Sequence, residues 1–371
     1  MISPLFDLIW CPMVISGQAL RLALIGYGNA GRIFHAPLIA GVPGLELACI
    51  CASQAGAVQA DWPQVRVVAE PAAVFADPAI DVVVIATSNA SHYPLARAAL
   101  LAGKHVVVDK PCTPTLAETE TLLALARQQD RVLTVFQNRR LDADFLSLRQ
   151  LLDQGVLGRV VHVASHFDRY RPEVPQRWRE QDLPGSGLWL DLGAHLVDQA
   201  LQLFGRPDAI ALELAVQRTG ACVNDWFHAQ LRYDRSHPGL RVILHGSALV
   251  PAQGPRWSVH GSEGSFTKFG LDPQEDALKA GRRPSWNALQ DWGQDPRPGE
   301  VLRYDVVAGQ RQPVRRDAPA VPGNYLAYYD NLRAALSGQA ALMVSPAQVQ
   351  ALMQLLSLGE HSAREGRWLS V

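Results

Sequence analysis

From Arg21 onward, short unbroken apolar runs alternate with segments of helical period. Leu22–Ile25, Leu45–Cys51, Val82–Ala86, His105–Asp109 and Leu133–Gln137 read as strands, and Ala30–Ala40, His92–Ala102 and Thr115–Asp130 as helices. Val/Ile runs without polar alternation are buried on both faces, as a parallel sheet between two helical layers requires. After Leu141 the texture changes. A helix over Asp142–Gln154 leads into Val160–His166, Ala209–Gln217, Trp226–Tyr233, Leu240–Ala248 and Arg256–His260, with few helices between them. Strand after strand predicts a largely antiparallel sheet. Leu271–Glu300 is rich in Pro, Gly, Asp and Trp and reads as a long irregular loop. Helices Asn324–Ser337 and Ser345–Glu365 close the chain, with Gly323–Asn324 and Ser345 as caps. The pattern therefore predicts an α/β doubly wound (Rossmann) half over 21–141. An α+β half over 142–371, built on a large, mainly antiparallel open sheet, would bind substrate and drive oligomerisation. Residues 1–20 are an extension to which no role is given.

Composition narrows the partner. The 371 residues are 48% hydrophobic and 19% charged, with a net charge of −1. That is a globular, foldable chain with no basic field for nucleic acid and no polybasic membrane patch. A small molecule is the expected partner. Met1–Leu20 carries no Lys or Arg, so it lacks the positive start of a secretory signal, and Pro4, Asp7 and Pro12 break its apolar stretch. Met13 is an alternative start. Five cysteines (Cys11, Cys49, Cys51, Cys112, Cys222) show no paired spacing, which predicts a reduced, cytoplasmic protein without a disulfide framework. Cys49 and Cys51, two apart in an apolar run, are expected on one face of a buried strand. With no Cys-x-x-Cys and no helical His-x-x-x-His, no metal is expected.

Candidate chemistry begins at Gly26-Tyr27-Gly28-Asn29-Ala30-Gly31, a G-x-G-x-x-G between a strand and a helix. Gly26 permits the tight turn, Gly28 a close approach of backbone to pyrophosphate, and Gly31 close helix–strand packing. The helix start offers its free N–H groups to the phosphates. In an NAD site a ribose-binding carboxylate stands at the end of the second strand. Here that region reads Cys51-Ala52-Ser53-Gln54 with no acid, which favours NADP over NAD, with Ser53 and Arg32 as candidate 2′-phosphate partners. Asp109-Lys110-Pro111 ends another parallel strand, where a lysine can stabilise an alkoxide. Downstream, Asp191 and His195 lie four apart on a predicted helix ending at Leu203 and so share a face, as a proton-exchanging pair or as a structural ion pair.

Together the G-x-G-x-x-G, Thr87-Ser88-Asn89-Ala90-Ser91-His92, Asp109-Lys110-Pro111 and Asp191-x-x-x-His195 resemble the glucose–fructose oxidoreductase/inositol dehydrogenase/rhizopine-catabolism (Gfo/Idh/MocA) family, from Arg21 to the C-terminus. The family's usual Glu-Lys-Pro is Asp109-Lys110-Pro111 here. The resemblance implies that Lys110 and His195 are catalytic, that Asp191 places substrate hydroxyls, and that Thr87, Asn89 and His92 lie by the cofactor. Phe34-His35-Ala36-Pro37-Leu38, Asn138-Arg139-Arg140 and Phe167-Asp168-Arg169-Tyr170-Arg171-Pro172-Glu173 look like the branch containing NADP-dependent scyllo-inositol dehydrogenases. Asn138, Arg139, Asp168, Arg169 and Trp178 are then candidates for a sugar pocket or, equally, for surface ion pairing. The implied activity is reversible hydride transfer between NADP and a secondary alcohol of a cyclic polyol or sugar, in a homodimer or homotetramer. An NAD-dependent glycosidase and a nucleotide-sensing regulator are the alternatives on the same fold.

Overall fold

A computed structural model describes residues 19–371. Most of the expected extension, with Met13 and Cys11, lies outside the described residues; Leu20 already belongs to the first strand. Six strands form the first sheet: β1 (Leu20–Ile25), β2 (Leu45–Cys51), β3 (Arg66–Val68), β4 (Val82–Ile85), β5 (His105–Val108) and β6 (Leu133–Val135). They run parallel in the order β3-β2-β1-β4-β5-β6. The crossovers carry α1 (Ala36–Ala40), α2 (Ala55–Asp61), α3 (Pro71–Phe75), α4 (Asn89–Leu101) and α5 (Leu116–Gln128). A π-helical turn, Gly31–His35, runs directly into α1, so the two make up the expected Ala30–Ala40 helix. Val82–Ile85 and Val106–Val108 are fully buried, as strands covered on both faces must be. Cys49 and Cys51 do share one face, packed with Val83 and Ile85. Strand order reverses between β1 and β4, and the crevice beyond their carboxyl ends is where ligands of such sheets bind.

The second half follows as α6 (Ala143–Asp153), β7 (Val160–Asp168), α7 (Ala194–Phe204), β8 (Ala209–Ala215), β9 (Trp226–Tyr233), β10 (Leu240–Ser247), β11 (Trp257–Gly261) and β12 (Gly264–Lys268). Then come α8 (Gln274–Lys279), β13 (Glu300–Val307), β14 (Gln310–Asp317), α9 (Leu326–Leu336), α10 (Pro346–Glu365) and β15 (Leu369–Ser370). Nine strands lie in the order β14-β13-β12-β11-β7-β10-β9-β8-β15, antiparallel except where β7 meets β10. α7 and α10 pack on one face. Along β7, Val163, Ser165 and Phe167 are buried against that layer, while His162, Ala164 and His166 turn to the other side.

One expectation is corrected here. Leu271–Glu300 is not wholly irregular: it contains α8, and its buried Trp292 donates to Gln274 Oε1 at 2.8 Å. The two halves also pack together across the 141/142 division. One buried cluster runs from Leu22 and Leu24 through Phe136 and Phe145 to Trp257 and Leu356. α9 packs on α1, and α10 on α5 and β6. His35 Nδ1 lies 2.6 Å from the Tyr329 hydroxyl, and Phe136 meets Tyr328 edge-on at 5.0 Å. Ser345 caps α10 with a reciprocal Gln348 bond, as its position suggests.

Candidate active site

The glycine loop leaves β1 at Gly26, whose φ is +99° and whose added Cβ would lie 2.5 Å from the Ala86 carbonyl on the neighbouring strand end. Only glycine fits such a turn at such a distance. A Cβ at Gly31 would strike the Gly26 carbonyl, which locks loop and helix together. Beyond the loop, the Tyr27 hydroxyl donates to Asp61 at 2.8 Å and Arg32 pairs with the same carboxylate at 2.8 Å. Arg32 is therefore already engaged and reaches a 2′-phosphate only by leaving Asp61. Ser53 is exposed just past β2. Thr87 accepts from Ser91 at 2.7 Å, and Asn89 donates to the Gly185 carbonyl at 2.7 Å, clasping α4 to the loop before Asp191.

Asp109-Lys110-Pro111 follows β5. Asp109 Oδ1 accepts the Lys110 amide at 2.9 Å and lies 3.9 Å from His35 Nε2; His92 Nδ1 is 3.0 Å from the Pro111 carbonyl oxygen. Burial drives the His35 imidazole down to about 4 and lowers that of His92, so both are neutral at pH 7. Lys110 Nζ reaches across to the second half and donates to the Asp191 carbonyl at 2.6 Å and carboxylate at 2.8 Å. Asp191 lies in a π-helical turn, Trp189–Gly193, and His195 in the first turn of α7. Burial opposes ionisation of Asp191, but Lys110, Arg179 and Arg169 outweigh it and hold the carboxyl far below its ordinary range. His195 is pushed well below 6.5 by burial first, then by Lys110 and Arg139, and its Nδ1 is buried without a partner among the described residues. Asp191 thus bonds directly to Lys110, with a neutral His195 beside it.

A cleft opens next to Asp191, lined by Arg169, Arg171, Arg177, Arg179, Asn224 and Ser247 among others. Of the expected pocket residues, Arg169 is in its wall, its guanidinium 4.8 Å above the Phe167 ring, and burial lowers it to about 10. Trp178 borders the cleft through Arg179, which stacks on its indole at 4.5 Å and approaches Asp191 to 3.5 Å. Asn138 and Arg139 are buried at the end of β6; Arg139 is bound to Asp142 and Glu275, a structural network instead of a pocket wall. Asp168 is turned the other way: it follows His166 on the open side of the sheet, because alternate residues of a strand point to opposite faces.

Two family models cover nearly all of this architecture. "Oxidoreductase family, NAD-binding Rossmann fold" matches residues 20–137, and "Oxidoreductase family, C-terminal alpha/beta domain" matches 149–371. The chain belongs to the Gfo/Idh/MocA oxidoreductase family. Among relatives, the Escherichia coli oxidoreductase YdgJ is 53% identical over 93% of this chain and 96% of its own length. The Bacillus subtilis scyllo-inositol 2-dehydrogenase (NADP(+)) IolW is 37% identical over 94% and 95%. The solved YPO2259 protein of Yersinia pestis superposes with a TM-score of 0.88 at 48% identity, over 95% of this chain and 97% of that one.

Members of the Gfo/Idh/MocA family bind a nicotinamide dinucleotide, and the residues present fit one. A Cβ at Gly28 would meet nothing within 4 Å, so the loop backbone is bare where the pyrophosphate would lie. Sequence reasoning missed Arg179, which steadies Asp191, and His35 with Tyr329, which back Asp109. The run Arg169, Arg171, Arg177, Arg179 was the available signal for the first. Nothing local pointed to Tyr329, because 294 residues separate it from His35.

Proposed function

We propose that this chain is an NADP-preferring dehydrogenase/reductase that transfers hydride to or from a secondary alcohol of a cyclic polyol or sugar. The observation that carries the reading is Lys110 Nζ held by Asp191 at 2.8 Å beyond β5, with a neutral His195 nearby and a cleft that reaches Asp191. Bound NADP would supply or accept the hydride. Lys110 holds its positive charge where an alkoxide develops, and Asp191 fixes its direction. His195, being neutral at pH 7, is suited to accept the hydroxyl proton in the oxidation direction. Asn224 and Ser247 give the cleft neutral hydrogen-bonding groups for further hydroxyls, which suits a polyol. The four free cysteines Cys49, Cys51, Cys112 and Cys222 suit a reducing cytoplasm.

NADP is favoured because the run Cys51-Ala52-Ser53-Gln54 that ends β2 carries no acid, and the relative IolW is named for NADP. A panel of polyols and sugars, assayed by reduced-nicotinamide absorbance with NAD and NADP separately, tests both parts. Activity with a polyol and a higher kcat/KM for NADP are expected. Ser53→Asp should reverse the cofactor order, mainly through weaker NADP binding, by repelling the 2′-phosphate and gripping the ribose of NAD. Better use of NAD by the unmodified enzyme would defeat the NADP assignment; inactivity on every polyol would defeat the substrate class.

A further inference from the structure

The face of the nine-stranded sheet that turns away from α7 gathers histidines from adjacent strands. β7 and β10 are in register with His166 beside His245; β9 sets His228 opposite His245; β11 sets His260 opposite His162. Asp168 follows His166 by two and shares its side, and its carboxylate is only 8% exposed. His166 Nδ1 lies 3.3 Å from Asp168 Oδ2, and His245 Nε2 lies 3.5 Å from Asp168 Oδ1. One ligand atom from each residue falls within 4.8 Å of the other two.

These separations are long for what they would otherwise be. A charge-assisted N–H···O⁻ bond closes to about 2.7–2.9 Å. Asp168 Oδ1 is buried with no hydrogen-bond partner among the described residues, a costly state for a carboxylate oxygen. Metal–ligand bonds of about 2.0–2.2 Å place tetrahedral ligand atoms about 3.3–3.6 Å apart, the distance at which each imidazole nitrogen lies from one oxygen of the Asp168 carboxylate. We propose that His166 Nδ1, the Asp168 carboxylate and His245 Nε2 form a site for a divalent transition-metal ion of the zinc class, on the side of the sheet that turns away from α7.

Two imidazoles and one carboxylate select zinc, cobalt or nickel over magnesium and calcium, which demand more oxygen. Adjacent strands hold the three groups in place without an ion, so little is lost in ordering them. Arg256, the nearest cation, is committed to Ser165 and Gln199 on the covered side. His166 is one-third exposed in the single chain, which gives an ion a path to the site before a second copy covers this side of the sheet.

The test uses the full, untagged chain, freed of metal by a chelator and titrated with zinc sulfate by calorimetry. One zinc per chain is expected, with binding at least about tenfold weaker in His245→Ala and in Asp168→Asn, and unchanged in His260→Ala. Binding that ignores both ligand substitutions, or no saturable binding, overturns the proposal. Should a variant fail to fold, cobalt titration of the unmodified chain decides: intense visible bands of a tetrahedral ion are expected. A pale six-coordinate spectrum, or none, overturns it. Neither readout depends on any polyol being a substrate.

Discussion

Lys110 joins the two halves of the molecule through one ammonium group. It leaves the Rossmann sheet and ends on the Asp191 carbonyl and carboxylate. Removing it takes charge from the reacting oxygen and leaves a buried carboxylate uncompensated. Lys110→Ala and His195→Ala are each expected to cut turnover by at least about 100-fold, with cofactor binding measured by fluorescence titration largely intact. Near-normal turnover in either would sink their assignment. Other histidines act on stability. Burial lowers His35 and His105 to about 4, and His105 Nδ1 accepts the Val132 amide at 3.0 Å, a bond its protonation would break. Above about pH 6.5 both rings are neutral folded or unfolded. As pH falls from 6.5 toward 4, only the unfolded chain takes up the protons, so stability drops by up to roughly 3 kcal/mol per ring. Urea denaturation at pH 7 and pH 5 should show a lower midpoint at pH 5; equal midpoints would contradict the buried-neutral state.

Among the elements, the π-helical turn Trp189–Gly193 carries Asp191, whose carboxylate goes to Lys110. The turn depends on Gly193, whose added Cβ would strike the Trp189 indole. Gly193→Ala should therefore lower stability by roughly 1–3 kcal/mol and reduce kcat more than it raises KM, as denaturation and steady-state kinetics would show. Wild-type kinetics would mean that the turn does not position the site. Elements with apolar periods were legible in the sequence: β2, β4, β5 and β9 fall within about a residue of the pattern, and β1 within two. β14 was not, because Gln-Arg-Gln-Pro-Val-Arg-Arg-Asp has no apolar face and is held by pairing with β13. β3 is three residues long and half-exposed at an edge. Lys110 and His195 could be picked out because motifs carry them. The His166–Asp168–His245 cluster could not, since register across β7 and β10, not spacing, brings it together.

For the molecule as a whole, the uncovered side of the nine-stranded sheet is where assembly is expected. It presents Trp226 and Ile243 among its histidines, both only half-buried. We expect a second copy to cover it, giving a homodimer or homotetramer under closed symmetry. Light scattering at micromolar concentration should exceed the 40.5 kDa of one chain, and Ile243→Glu should lower the mass. A stable monomer would contradict this. The buried cluster that crosses from Leu22 to Leu356 carries a separate consequence. α9 and α10 come from the last fifty residues, yet they roof the nucleotide sheet. Residues 20–141 are therefore not a portable cassette. Grafted onto another protein, that segment would arrive with Phe136 and His35 stripped of Tyr328 and Tyr329, and any swap of catalytic halves within the family has to carry the C-terminal tail along with the head.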